Sequence, residues 1–203
     1  MKIINKDLLL AAKFAAQNDL RPVLAGVQVN NDCLVATDSY KLIKIDLKGG
    51  EVAEFPTDNK IVKLENVVEP FLLPAAQLLK KLKFAKNKTM PILEGGVLCN
   101  DSADKVSIFT TDIKTSNTLE FRKIKGQFPE WERIIPTSEP VASGYFDADL
   151  LIEALQALKC STGRSGVKID LFGFMELAVI KGTETENSHI STYVMPIKKS
   201  SNN

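Results

Sequence analysis

The sequence predicts an α+β protein built of three βαβββ units, because one helical pattern and one turn motif recur at nearly constant spacing along its 203 residues. The helical pattern stands at residues 6–14, 77–84 and 149–158, each time with apolar residues at i, i+3 and i+4 on one face. Leu8 to Leu78 and Leu79 to Leu151 are both steps of about 70 residues. Behind the first helix comes Arg21-Pro22-Val23-Leu24-Ala25-Gly26-Val27, and behind the second Met90-Pro91-Ile92-Leu93-Glu94-Gly95-Gly96-Val97. The Pro-[Val/Ile]-Leu-x-Gly core is thus repeated.

Each helix has a start signal. Asn5 and Asp147 offer a side-chain oxygen to the first turn, and Pro74 offers a fixed φ that suits helix entry. Three short strands are expected behind each helix. In the first unit they are 27–30, 33–37 and 42–47, separated by Asn30-Asn31-Asp32 and by Asp38-Ser39, both turn-forming. In the second they are 96–99, 105–111 and 118–123, and in the third 167–171, 175–180 and 190–195. A strand ahead of each helix, at 2–4 and 61–64 in the first two units, completes the βαβββ pattern. The expected organisation is one two-unit domain over 1–125 (units about 1–58 and 59–125), an interdomain link over 126–137, and a third unit over 138–203. The link holds Phe128, Trp131, Ile134 and Ile135, too apolar for a solvated tether, so it is expected to pack. The polar tail 198–203 is expected to fray.

Composition narrows the function classes. Apolar residues are 44% and charged residues 25%, the balance of a globular chain with a real core. With 26 basic and 25 acidic residues the net charge is +1, so any polyanionic partner must be met by local patches. Three distant cysteines, Cys33, Cys99 and Cys160, fit neither a zinc site nor a disulfide framework; they read as small core residues and point to the reducing cytoplasm. No apolar run approaches the roughly 20 residues of a membrane span, so no membrane partner is expected. The one histidine, His189, sits in an expected strand, and no HExxH, GxSxG or P-loop pattern occurs. No catalytic residue, metal or cofactor is implied.

Four segments, in order, bear a likeness to a known family. They are Arg21 to Val27, Val35-Ala36-Thr37-Asp38-Ser39-Tyr40-Lys41-Leu42, the link from Gly126 through Phe128-Pro129-Glu130-Trp131-Glu132-Arg133 to Pro136, and Tyr193-Val194-Met195-Pro196-Ile197-Lys198. Together the chain resembles the bacterial sliding clamp, the β subunit of the replicative DNA polymerase. The resemblance implies a DNA-clamp-like fold of one complete two-unit clamp domain, similar to the family's middle domain, plus a half domain similar to the second half of its last. It implies a DNA polymerase III beta subunit-like processivity factor for DNA replication or repair, acting by encircling duplex rather than by catalysis. The family's pocket for partner peptides maps onto Leu24; onto Thr37, Ser39, Tyr40, Lys41 and Leu42; onto Pro129, Arg133 and Ile134; and onto Tyr193, Val194, Met195 and Pro196. Such a pocket takes an extended peptide with leucine and aromatic anchors from a DNA polymerase, clamp loader or repair protein. Ser39-Tyr40-Lys41 stands where the family has Gly-His-Arg, implying a groove narrowed by Tyr40, and Trp131 stands for a tyrosine. Without the resemblance, the same turn reads as an ordinary hairpin corner and Met195-Pro196 as a strand end.

In the family, helix faces line the hole. Lys80, Lys81 and Lys83, opposite Leu78, Leu79, Leu82 and Ala85, with Lys6 and Lys13 on helix one, are the candidates for non-specific backbone contact with double-stranded DNA. Lys86 and Lys88 extend the run, although a solvated lysine face reads the same way. Helix three instead carries Asp149, Glu153 and Gln156 opposite Leu151, Ala154, Leu155 and Leu158. A ring of twelve units would need four chains, so a homo-oligomer is expected, with the third unit paired to another unit, such as that of a second chain. The competing reading is a non-encircling clamp-fold adaptor or competitor that binds clamp-interacting proteins without sliding. A third, an enzyme, would require activity dependent on His189.

Overall fold

The computed structural model describes residues 3–17, 20–47, 55–56, 69–84, 90–100, 102–138, 140, 142–162, 166–172, 176–182 and 191–197. The chain divides into two compact bodies, Met1–Trp131 and Glu132–Asn203. The strand expected at 61–64, Ala85, Lys86, Lys88, His189, the Cys160 side chain and the tail 198–203 lie outside the described residues.

In the first body β1 (Ile3–Asn5) leads into α1 (Lys6–Ala12), where Asn5 Oδ1 accepts a hydrogen bond from the Asp7 amide at 2.7 Å and caps the first turn. A 3-10 turn at Pro22–Ala25 then delivers β2 (Gly26–Val29), β3 (Cys33–Thr37) and β4 (Leu42–Asp46). The pattern repeats with β5 (Phe71–Pro74), α2 (Ala75–Lys81), a second 3-10 turn at Pro91–Glu94, β6 (Gly95–Asn100), β7 (Lys105–Thr111) and β8 (Ser116–Arg122). The repeated Pro-x-Leu-x-Gly motif is therefore a 3-10 turn feeding a strand, with proline at its favoured entry.

The two units are interlocked. The sheets run β4-β3-β2-β5 and β1-β6-β7-β8, so the strand leading each unit hydrogen-bonds in the sheet of the other. Asn5 lies opposite Gly95 and Ile3 opposite Val97; reciprocally, Pro74 lies opposite Gly26 and Leu73 opposite Val27. One shared core closes the exchange: Leu8, Ala11 and Ala12 of α1 and Leu78 of α2 meet Val27, Val29, Leu34, Leu98, Ile108 and Phe121 from the two sheets. Outer faces are covered too. Cys33, Val35 and Leu72 pack with Leu24, Phe128 and Trp131, while Val97, Cys99 and Phe109 pack with Phe55, whose ring meets Phe109 edge-on at 6.3 Å. β3 is accordingly buried at every position.

Several expectations are corrected. The strand ahead of helix two among the described residues is Phe71–Pro74, which abuts the helix. α2 stops at Lys81, because Leu82 takes an extended conformation (φ −81°, ψ 126°) and turns the chain away; Lys83 is thus not helical. Leu79 is 46% exposed rather than core-facing. In the link, Phe128 and Trp131 do pack, and Trp131 Nε1 donates to Gln28 Oε1 at 3.1 Å, whereas Ile134 is exposed.

The second body contains α3 (Ala148–Thr162) and the sheet β11-β10-β9, with β9 at Val167–Leu171, β10 at Ala178–Gly182 and β11 at Ser191–Val194. Asp147 caps α3, accepting from the amides of Asp149 and Leu150. Its core is small: Ala154 and Leu158 against Ile180 and Val194, flanked by Phe146 and Leu151. Leu155, expected on that face, is instead half-exposed.

Candidate functional site

The turn joining β3 to β4 is built from its own side chains. Thr37 Oγ1 donates to the Lys41 carbonyl at 2.8 Å and accepts from the Ser39 amide at 3.1 Å, so the buried hydroxyl is satisfied in both roles. Asp38 Oδ1 accepts from the amides of Tyr40 and Lys41 at 2.9 and 3.0 Å; the Tyr40 amide above all holds this carboxyl below its ordinary range. Ser39 takes φ 81°, the left-handed region. Its hydroxyl accepts from Arg21 Nη1 at 3.1 Å, which ties the turn to the 3-10 motif.

Beside this turn lies a groove of about 480 Å³ in the first body. One wall is Ala15, Ala16, Gln17 and Leu20, from the segment after α1; Arg21 and Leu24 close its base, and Asp38, Ser39, Tyr40 and Lys41 form the rim. The Ala16 amide donates to the Leu24 carbonyl at 2.8 Å and holds wall to base. Leu24 is 4% exposed and belongs to the core, while Leu20 and Tyr40 are 87% and 98% exposed. Tyr40 therefore stands out at the rim as a ring available for contact. Lys41 Nζ sits 3.8 Å from Asp38 and 5.1 Å over the Phe14 ring, so the rim carries both signs of charge. Such a groove can seat an apolar anchor and orient a polar backbone.

Of the residues expected to bind peptide, Leu24, Ser39, Tyr40 and Lys41 line this groove; Thr37 supports the turn from beneath, and Leu42 packs against the core around Trp131. Pro129 is exposed near the end of the first body. Arg133 and Ile134 are exposed at the start of the second. There, Tyr193 and Met195, 63% and 61% exposed, line a separate shallow groove of about 500 Å³ with Phe172, Glu176, Leu177 and Val179. Val194 points the other way into the core, and Pro196 bridges Phe146. The alternation along β11 dictates this split. Sequence reasoning missed the wall 15–17 and Leu20, which carries no motif, and missed Arg21 as a groove residue although it opens the 3-10 motif.

The lysines Lys6, Lys13, Lys80, Lys81 and Lys83 are all exposed on or beside α1 and α2. Lys6 Nζ lies 3.7 Å from Glu94, which offsets part of its charge. Cys33 is buried and forms no disulfide, and burial pushes its thiol up, away from the reactive thiolate. Among the described residues no group of acidic, His and Cys side chains is placed to hold a metal ion, and no helix is long and apolar enough to cross a membrane.

No protein-family model matches the chain, and no curated protein matches it. Solved structures do. The chain is similar to the DNA polymerase sliding clamp of Bacillus subtilis (TM-score 0.61, 17% identity, 96% of this chain and 48% of that one). It is similar to a putative DNA polymerase III beta subunit from Eubacterium rectale (TM-score 0.64, 8% identity, 96% and 50%). A third is the Helicobacter pylori beta clamp bound to a DNA ligase peptide (TM-score 0.60, 17% identity, 97% and 49%). The chain spans about half the length of each of these structures. The three helices and three antiparallel sheets thus have the fold of the bacterial sliding clamps, in an α+β arrangement with a partial domain; the strand expected ahead of helix three is reduced to the isolated Phe146–Pro196 bridge.

Proposed function

We propose that this chain is a non-enzymatic, sliding-clamp-like processivity factor of the cytoplasm, which tethers replication or repair proteins by gripping a short peptide of theirs. The observation that carries the reading is the groove beside the β3–β4 turn. Four residues carried over from the resemblance, Leu24, Ser39, Tyr40 and Lys41, line one concavity whose base joins Leu24 to Arg21 and whose rim is charged. The fold agrees, and one solved clamp of that fold holds a DNA ligase peptide. Tethering acts through effective concentration: a partner held near DNA rebinds before it diffuses away. The exposed lysines on and beside α1 and α2, Lys6, Lys13, Lys80, Lys81 and Lys83, are proposed to touch duplex phosphates without reading sequence.

The test is fluorescence anisotropy with a labelled peptide bearing Gln, leucine and aromatic anchors. Leu24→Asp is a poor probe because Leu24 is core, and removal of Met195 onward would also strip the Ile197 amide from the Tyr145 carbonyl. Tyr40→Ala and Arg21→Ala leave the core intact. Together they are expected to weaken binding at least tenfold, about 1.4 kcal/mol. Equal affinity of parent and double variant would refute the peptide site.

A further inference from the structure

We propose that the second body is half of a domain that a second copy of this chain completes, by the same reciprocal exchange of leading strands that joins the two units of the first body. The chain itself supplies the template. In the first body, each leading strand pairs with the first strand after the other unit's helix: Asn5 opposite Gly95 and Ile4 opposite Gly96, Pro74 opposite Gly26 and Leu73 opposite Val27. The third unit repeats the helix and the three strands behind it, while the segment ahead of α3 is extended chain that pairs only through the Phe146–Pro196 bridge, a leading strand without its ladder. Asp147 caps α3 as Asn5 caps α1. The Ile197 amide donates to the Tyr145 carbonyl at 2.8 Å, as the Ile124 amide donates to the Leu72 carbonyl at 2.9 Å. Ile169 lies opposite Ile180 on the core side of its sheet, as Leu98 lies opposite Ile108.

Among the described residues no second unit is paired with the third. Among the described residues β9 is the outer strand of a three-stranded sheet, whereas its counterparts β2 and β6 are inner strands of four. The consequence is visible in the side chains. Val27 and Val29 are sealed at 0% exposure, while their counterparts Val167 and Ile169 are 39% and 52% exposed. On α3, Ile152 and Leu155 form an uncovered flank, 50% and 38% exposed, where α1 and α2 share one core. A second copy brings both missing elements, a leading strand for β9 and a helix for that flank.

The contact would be isologous, a patch set against itself, and charge permits this. A patch of one sign would repel its copy, but here both signs are interleaved: Lys168 and Asp170 pair at 2.9 Å on β9, and α3 carries Asp149 in its first turn and Lys159 in its last. The transferred register sets Phe146 opposite Val167 of the second copy, and Tyr145 opposite Lys168 of the second copy.

Sedimentation velocity on the full chain over a wide concentration range tests this. The parent is expected to reach at least the mass of two 22.3 kDa chains. Ile169→Lys combined with Leu155→Glu, both at partly exposed positions, is expected to halve that mass with an unchanged far-ultraviolet circular dichroism spectrum. Tyr145→Cys with Lys168→Cys in one chain is expected to give a disulfide-linked dimer under mild oxidation, which neither single variant gives, and this decides the matter should the charged variant misfold. A parent monomeric at every concentration, or an oligomer that resists both charges and forms no linked dimer, overturns the proposal. Because the inference rests on unit geometry alone, a failed peptide-binding test leaves it standing.

Discussion

Ser39 and Ile113 adopt the same left-handed backbone, φ 81° and 78°, at the same point of two hairpins in successive units. The likeness extends to the four bonds made by the threonine hydroxyl and the aspartate carboxylate of each turn. Thr111 Oγ1 donates to the Thr115 carbonyl and accepts from the Ile113 amide, and Asp112 Oδ1 accepts from the amides of Lys114 and Thr115. A β-branched residue in this region is strained, whereas glycine is not. Ile113 is 60% exposed, so its side chain contributes little packing in return. Ile113→Gly is expected to stabilise the protein by about 0.5–1 kcal/mol, the relief of roughly 1–2 kcal/mol less the greater unfolded-state freedom of glycine. Thermal melting would show a rise of a few degrees; an unchanged or lowered midpoint contradicts it. Ser39→Gly gains less, because it forfeits the bond from Arg21.

Asp38 and Asp112 give these turns a common acid sensitivity. Both carboxyls are held below the ordinary 3.8, Asp38 chiefly by the Tyr40 amide and Asp112 chiefly by the Thr115 amide. A depressed folded-state value means stability present above the unfolded value and lost as pH falls through the folded one. The double variant Asp38→Asn, Asp112→Asn keeps an acceptor oxygen but cannot titrate. Its urea midpoint is expected to fall less than the parent's as pH drops below about 4. Parallel curves for the two proteins would show that these carboxyls do not contribute.

Gly96 marks where β6 has no room. A Cβ there would stand 2.7 Å from the Phe109 carbonyl oxygen and 3.0 Å from Thr110 Cγ2. The first is backbone of the neighbouring strand and cannot step aside. Gly96→Ala should therefore cost about 1–3 kcal/mol in chemical denaturation. A variant as stable as the parent would mean that β7 is less firmly placed than the core around Ile108 implies.

For the proposed DNA contact, Lys80, Lys81 and Lys83 weigh more than Lys6, which Glu94 accompanies. Replacing those three with glutamine should weaken binding to a duplex of arbitrary sequence and reduce the slope of log K against log salt by about 3. An unaltered slope removes these lysines from any phosphate contact.

Local chemistry was legible in the sequence, and long-range pairing was not. Strands 33–37, 105–111 and 167–171 match the structure residue for residue, since each is a short apolar or alternating stretch with β-branched residues between turn formers. Phe71–Pro74 escaped notice because four apolar residues ending in proline show no alternation and run straight into a helix. The exchange of leading strands has no local signature at all, for nothing in Ile3-Ile4-Asn5 names Gly95 to Val97 as its partner. At the groove the turn was readable from Asp38 and Ser39. The Arg21–Ser39 bond and the wall at Ala15 and Ala16 arise only when segments apart in sequence are folded together.

The exchange also sets a timetable. Ile3 leaves the ribosome long before its partner Val97, which is made only after most of the first body. At about 5–20 residues per second, β1 waits roughly 5–20 seconds for a place to pair. Neither unit can finish first, because each holds a strand belonging to the other. The first body is therefore expected to mature in one late, cooperative event of high contact order rather than unit by unit during synthesis. A nascent chain halted before Gly95 would leave Leu8, Ala11 and Leu78 without half of their core, a natural target for chaperones.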